Sequence, residues 1–206
     1  MISIVNYGMG NIASVANMLR KAGAGARVIE TPAELDAATA VILPGVGAFD
    51  EAVASLQRLG LWDGLGRIVR GQTVPLLGIC LGMQLLLDGS EEGRLAGLGA
   101  IPGGCRRFRF DETETRLKVP HMGWSPLTVP RPHALLEGLE PDSRFYFVHS
   151  YFVECAEPSD VIATARHGSA FAAVIGRGRV LGAQFHPEKS HRYGLRVLGN
   201  FARLAA

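Results

Sequence analysis

Cysteine is scarce in this chain, lysine is confined to Lys21, Lys118 and Lys189, and neither sign of charge prevails. Three cysteines in 206 residues, Cys80, Cys105 and Cys155, are odd in number and too widely spaced for a disulfide framework or a C-x-x-C metal site. A reduced, intracellular setting is expected, with no structural metal. The 21 basic and 19 acidic residues leave a formal charge of only +2, which excludes the concentrated positive field of a nucleic-acid binder or a polybasic membrane segment. Long apolar runs are missing too. The most apolar stretch, Val74 to Met83, is about half of what a bilayer requires, and Met1 leads straight into Ile2-Ser3-Ile4-Val5, a strand pattern with no basic signal-peptide start. What remains is 48% hydrophobic and 19% charged, a globular composition. One domain over residues 1–206 is expected, burying roughly 70% of the surface that its unfolded chain exposes.

The first half alternates short apolar runs with helical periodicity, the pattern of βαβ units and a parallel sheet. Ile2 to Val5, Arg27 to Ile29, Val41 to Leu43 and Val74 to Leu77 read as strands. Between them, Ile12, Val15, Ala16 and Leu19 mark a helix that Gly23 ends. Thr31-Pro32-Ala33-Glu34 carries a capping box with proline at the first helical position. Helices are also expected around Phe49, Val53 and Leu56, and from Trp62 to Val69. Beyond residue 100 the texture turns to β-runs: Arg106 to Phe110, Leu117 to Val119, Phe145 to Val153, Val161 to Ala165, Phe171 to Ile175 and Val180 to Phe185. These predict antiparallel or mixed pairing added to the parallel core. A last helix from about Ser190 presents Leu195, Leu198, Phe201 and Leu204, or a neighbouring register.

Reactive groups in such a sheet belong at the carboxyl ends of the strands, and three of those ends are unusual. Gly78-Ile79-Cys80-Leu81-Gly82 is a G-x-C-x-G stretch at a strand-to-helix junction, matching the nucleophile elbow with sulfur in place of oxygen. Side chains two positions either side of the nucleophile would collide with each other and with the next strand, hence the glycines. The unpaired N–H groups of a helix start favour negative charge on sulfur, although a buried packing cysteine fits the pentapeptide as well. Gln184-Phe185-His186-Pro187-Glu188 closes another strand. Pro187 pushes His186 into an extended conformation that sends His186 and Glu188 to one side, the pairing of a general base with its orienting acid. Pro44-Gly45-Val46-Gly47 frees backbone N–H groups to face an anion, and by itself is equally a plain turn.

Taken together, Gly78 to Gln84, Pro44 to Phe49 and His186-Pro187-Glu188 resemble the three signatures of the class I, triad-type glutamine amidotransferases, in that family's chain order. Tyr7-Gly8-Met9-Gly10-Asn11, Pro120-His121-Met122-Gly123-Trp124, Tyr146 to Tyr151 and Glu188-Lys189-Ser190 are similar to motifs of one branch, the glutaminase subunits of imidazole glycerol phosphate synthase. The likeness covers essentially the whole chain. It implies a flavodoxin-like α/β sandwich with a mixed, mainly parallel central sheet and added antiparallel strands. It also implies that Cys80, His186 and Glu188 form the catalytic triad, with Leu81 and Val46 or Gly47 supplying oxyanion donors. Gly45, Gln84, His149, Ser150 and Tyr151 would bind glutamine.

In that family no cofactor takes part, and the ammonia passes to a (β/α)8-barrel cyclase partner in a cytoplasmic heterodimer of histidine biosynthesis. Asn11, Trp124 and Lys189 would face the partner. The glycines of the Gly45–Gly47 loop would permit a peptide flip that completes the oxyanion hole when the partner binds its substrate. Two residues depart from the family pattern: Asn6 replaces a usual aspartate, and Ser125 a usual asparagine. A cysteine peptidase or another glutaminase is disfavoured by P-H-M-G-W and by the Lys-Ser after His-Pro-Glu, and a catalytically silent homologue by the intact triad. His121 is expected to position backbone, His133, His167 and His191 to lie at the surface, and Cys105 and Cys155 to pack.

Overall fold

The computed structural model describes residues 1–110 and 117–205. Its amino-terminal half is the expected alternation: β1 (Ile2–Val5), α1 (Ile12–Lys21), β2 (Ala26–Ile29), α2 (Pro32–Asp36), β3 (Val41–Gly45), α3 (Phe49–Arg58), α4 (Trp62–Gly71), β4 (Leu76–Cys80) and the single turn α5 (Leu81–Gln84). There follow β5 (Gly89–Ser90), β6 (Gly103–Arg107), β7 (His121–Pro126), β8 (Arg144–His149), β9 (Tyr151–Cys155), β10 (Val161–His167), β11 (Ser169–Arg177), β12 (Val180–Ala183) and α6 (His191–Leu204). Local signals explain several boundaries. Thr31 accepts the Glu34 N–H while Glu34 reaches back to the Thr31 N–H, the capping box that starts α2. Gly23, at φ +78, lets the chain leave α1 in a left-handed turn.

Among the described residues the main sheet runs β2-β1-β3-β4-β12-β11-β9-β6-β5, with β10 on β11, and β7 pairs β8 in a separate hairpin. From β2 to β12 the neighbours are parallel; β11, β9 and β10 add antiparallel pairs. This is the mixed, mainly parallel α/β architecture anticipated above. Alternation along the central strands feeds two apolar layers. Val5, Leu43 and Leu76 pack with Phe49, Val53, Leu56 and Leu65 of α3 and α4. Ile4, Ile42 and Leu77 pack with Val15 and Leu19 of α1 and with Val197, Leu198 and Phe201 of α6.

Three details differ from expectation. Leu117 to Val119 form no strand; pairing starts at His121, past Pro120, which has no N–H to give. Phe145 to Val153 is two strands, because the chain leaves the β7 hairpin and enters the main sheet at Ser150. On α6 the buried face is Gly194, Val197, Leu198 and Phe201, while Leu204 is exposed. Gly194 belongs to that face because a Cβ there would overlap the Pro187 backbone. Phe201 is fully buried, so Phe201→Ala is expected to lower unfolding free energy by about 3–5 kcal/mol, measured by urea denaturation.

Candidate active site

The carboxyl ends of β3, β4 and β12 lie side by side, with Gly45 paired in register with Cys80 and Ala183 with Ile79. Cys80 ends β4 at φ 54, ψ −109, a left-handed conformation costing a non-glycine residue about 1–3 kcal/mol. The flanking glycines are required as anticipated. A Cβ on Gly78 would meet the Gly82 carbonyl oxygen at 2.5 Å, and one on Gly82 would overlap the Leu43 carbonyl oxygen of β3. A Cβ on Gly45 would meet the Tyr7 hydroxyl at 2.6 Å and the Gly82 nitrogen at 2.8 Å. Strand, elbow and loop touch backbone to backbone.

His186 is buried and anchored by its N–H donating to the Tyr146 carbonyl at 2.9 Å. Its Nδ1 donates to Glu188 Oε1 at 2.9 Å, with both side chains only 2% exposed. His186 is extended as expected, at φ −97 and ψ 98, but the residues after it are not: Pro187–Lys189 form a 3-10 turn that brings Glu188 to the imidazole. Burial opposes charge on His186, yet the Cys80 sulfur and the Glu188 carboxylate outweigh it and push its pKa up to about 10. Among the described residues, the buried Nε2 has no hydrogen-bond partner, so Cys80 acts on it by proximity; catalytic hydrogen bonds tighten when substrate binds.

A cavity of about 500 Å³ opens over these groups. Of the residues singled out from sequence, Val46, Gly47, Cys80, Gln84, His149, Ser150, Tyr151, His186 and Lys189 line it. Gly45 and Leu81 lie directly behind the wall, in contact distance of one another. Lys189 thus borders the pocket itself, its amino group 5.8 Å over the Tyr146 ring. Asn11, at the N-cap position of α1 without a side-chain capping bond, does not line the cavity, and Trp124 stands 44% exposed on β7, stacked on His191. A wider depression of about 820 Å³ beside Cys105 and Cys155 has no comparable grouping; burial pushes both thiols up to about 12, in keeping with packing roles.

One residue of the pocket wall and two buried behind it escaped the sequence reading. Gln184 donates to Cys80 Sγ at 3.7 Å and accepts from Gln84 Nε2, which also donates to the Tyr151 carbonyl. Its one sequence signal is lying two positions before His186 on the same strand end. Glu92 lines the pocket, accepts the Phe49 N–H at the start of α3, and is pushed up chiefly by burial; nothing in its surroundings in sequence marks it. Tyr7, buried against Gly45, has a hydroxyl without a partner, and burial and Cys80 push that phenol up. His167, expected at the surface, is half-buried: its ring stacks on His121 at 4.3 Å while Nε2 lies 2.9 Å from the Lys118 carbonyl oxygen.

The model of the class-I glutamine amidotransferase family matches residues 3–204. The chain belongs to that family. Its relatives include the imidazole glycerol phosphate synthase subunit HisH of Leptospira interrogans, 44% identical across 99% of this chain and 100% of the relative. The protein of the same name from Moorella thermoacetica is 49% identical over 98% and 94%. Among solved structures, a glutamine amidotransferase superposes with a TM-score of 0.73 at 22% identity, covering 100% of this chain and 99% of that one. PurLQS from Thermotoga maritima gives 0.70 at 16%, covering 99% and 95%. These last two establish the shared class-I fold.

Because His186 is held above the ordinary histidine value, the stability that its pairing adds is full below about pH 6.5 and lost as pH rises through about 10. The imidazole is expected to titrate near that alkaline value by NMR, and Glu188→Gln to move the midpoint down. An unshifted midpoint in Glu188→Gln would show that the carboxylate does not hold the proton.

Proposed function

We propose that this chain is the glutaminase subunit of an imidazole glycerol phosphate synthase and hydrolyses glutamine through Cys80, His186 and Glu188. The observation that carries the reading is the meeting of the strained Cys80 elbow, the Glu188-bound His186 and the Gly45–Gly47 loop around one cavity. Full-length likeness to proteins named for that synthase selects the branch.

Glutamine's side-chain amide lies over Cys80, whose thiolate attacks the amide carbon and forms a C–S bond. The carbonyl π electrons move to oxygen, giving a tetrahedral oxyanion. The Leu81 N–H, at the first position of α5 where no intrahelical acceptor exists, and a Val46 or Gly47 N–H stabilise that charge. His186 gives its Nε2 proton to the departing nitrogen, and the C–N bond breaks to release ammonia. Water, deprotonated by the neutral imidazole, attacks the thioester, and the C–S bond breaks to release glutamate and restore the thiolate–imidazolium pair. Glu188 keeps Nδ1 protonated throughout and supports the imidazolium. Gln184 and Gln84 brace the sulfur and the Tyr151 carbonyl.

The His149–Tyr151 backbone takes the substrate's α-carboxylate, and Glu92, a carboxylate lining the pocket, takes its α-ammonium. The ammonia then passes to a (β/α)8-barrel cyclase subunit, bound as a heterodimer, which uses it to make imidazole glycerol phosphate and an aminoimidazole carboxamide ribotide. Met122, Trp124 and Val46 are 63%, 44% and 42% exposed, and with Lys189 they supply an apolar, singly charged rim on which that partner seats. Asn11 lies in the same partner-facing motifs. Completion of the oxyanion hole by a Gly45–Gly47 peptide flip on partner binding accounts for glycine at Gly47, whose φ is +105.

Cys80→Ala is expected to abolish glutamine hydrolysis in the presence of the cyclase subunit and its nucleotide, by at least about 10³-fold. Activity surviving that change refutes the mechanism, and activity indifferent to the cyclase refutes the branch. Glu92→Gln is expected to raise the glutamine KM by about tenfold with little change in kcat, read from steady-state kinetics.

A further inference from the structure

Behind the pocket lies a buried chain of histidines that the mechanism does not use. His149 Nδ1 sits 2.7 Å from the Tyr151 carbonyl oxygen, its Nε2 sits 3.2 Å from His121 Nδ1, and His121 Nε2 sits 3.2 Å from the Ser125 hydroxyl. A carbonyl only accepts, so His149 carries its proton on Nδ1 and offers a lone pair at Nε2. His121 must then donate from Nδ1 and accept at Nε2, where the Ser125 hydroxyl supplies the proton. Direction is therefore set along the whole relay: Ser125 to His121 to His149 to the Tyr151 carbonyl.

The surroundings keep both rings neutral. Phe108, Phe147 and Phe171 pack around them and His167 stacks on His121. Burial first, then repulsion from His167, lowers His121 to about 4. Burial lowers His149 to about 3, against the opposing pull of the Tyr151 carbonyl and with repulsion from His121, His167 and His186. A proton added at His149 Nε2 would face the His121 Nδ1–H, and one added at His121 Nε2 would turn its contact with the Ser125 hydroxyl round, so either charge undoes that direction.

We propose that His121 is a positioning residue for the glutamine pocket, acting through His149 to hold the Tyr151 carbonyl and so the His149–Tyr151 backbone that borders Cys80. This deepens the glutaminase reading and rests on it. The geometry also ties the pocket to the outer surface. His121 and Ser125 project inward from β7, while Met122 and Trp124 on the same strand project outward and are exposed, so a load on the outer face reaches the relay through one strand.

The relay is tested in the full chain with the cyclase subunit present. His121→Leu fills the site without a donor and leaves His149 Nε2 orphaned. His121→Asn puts an amide N–H where Nδ1 was. The glutamine KM is expected to rise about tenfold in the leucine variant, kcat changing less than about threefold, and to return most of the way in the asparagine variant. A folded leucine variant with wild-type KM, or an asparagine variant no better than leucine, overturns the proposal. Long-range 15N–1H correlation at pH 7 reads the relay without activity: Nδ1-protonated neutral His121 and His149 support it, and either ring protonated at Nε2 overturns it. A wild-type complex without glutamine hydrolysis would instead defeat the glutaminase reading, and the spectra would still decide the relay.

Discussion

Everything at the site depends on how closely three pieces of backbone approach at the ends of β3 and β4. Gly82 lies against the Leu43 carbonyl, Gly78 against Gly82, and Gly45 against Gly82 and the Tyr7 hydroxyl. Only residues without Cβ permit that distance. Its consequence is a cysteine held at positive φ at the rim of a cavity beside a glycine-rich loop. The strain is repaid by the core beneath, where buried Leu76, Leu77 and Ile79 hold β4 between two apolar layers. A strained residue persists where its surroundings over-determine it.

The electrostatics follow from that placement. His186 and Glu188 are both withdrawn from solvent, so a carboxylate that would do little in water acts strongly on the imidazole. The result is a ring whose preference for the proton exceeds the cost of burial. A second group of histidines, less than a strand away, sits on the other side of that balance. His121 and His149 have aromatic and imidazole neighbours, and burial leaves them neutral and directional. Imidazole thus meets two environments beside one pocket, a buried carboxylate that favours its charged form and aromatic surroundings that favour its neutral one.

That Cys80, His186, Glu188, the elbow glycines and the loop sit at adjoining strand ends was legible from sequence because each signal is local: a short spacing at a strand end constrains what the backbone can do there. Central strands and helices were legible from periodicity for the same reason. The strand switch at Ser150 was not, since Phe145 to Val153 is one continuous apolar run and only its two sets of partners divide it. Glu92, which lines the cavity, and Gln184 and Tyr7, which are buried beside Cys80 and Gly45, were missed because only the tertiary fold brings them there. His121 was expected to position backbone; its Nδ1 instead meets His149, 28 positions on, whose own Nδ1 faces the Tyr151 carbonyl.

By itself, then, the sequence determined the fold class, the cysteine at the elbow, the imidazole–carboxylate pair and the loop beside them. Composition, periodicity and turn chemistry act over a few residues, and family motifs are spelled in such short stretches. The tertiary structure alone decided which carboxylate reaches the pocket, how Glu188 folds under His186, and how the histidines order their protons. Those outcomes depend on distances between residues far apart in the chain and on how much water is left between them.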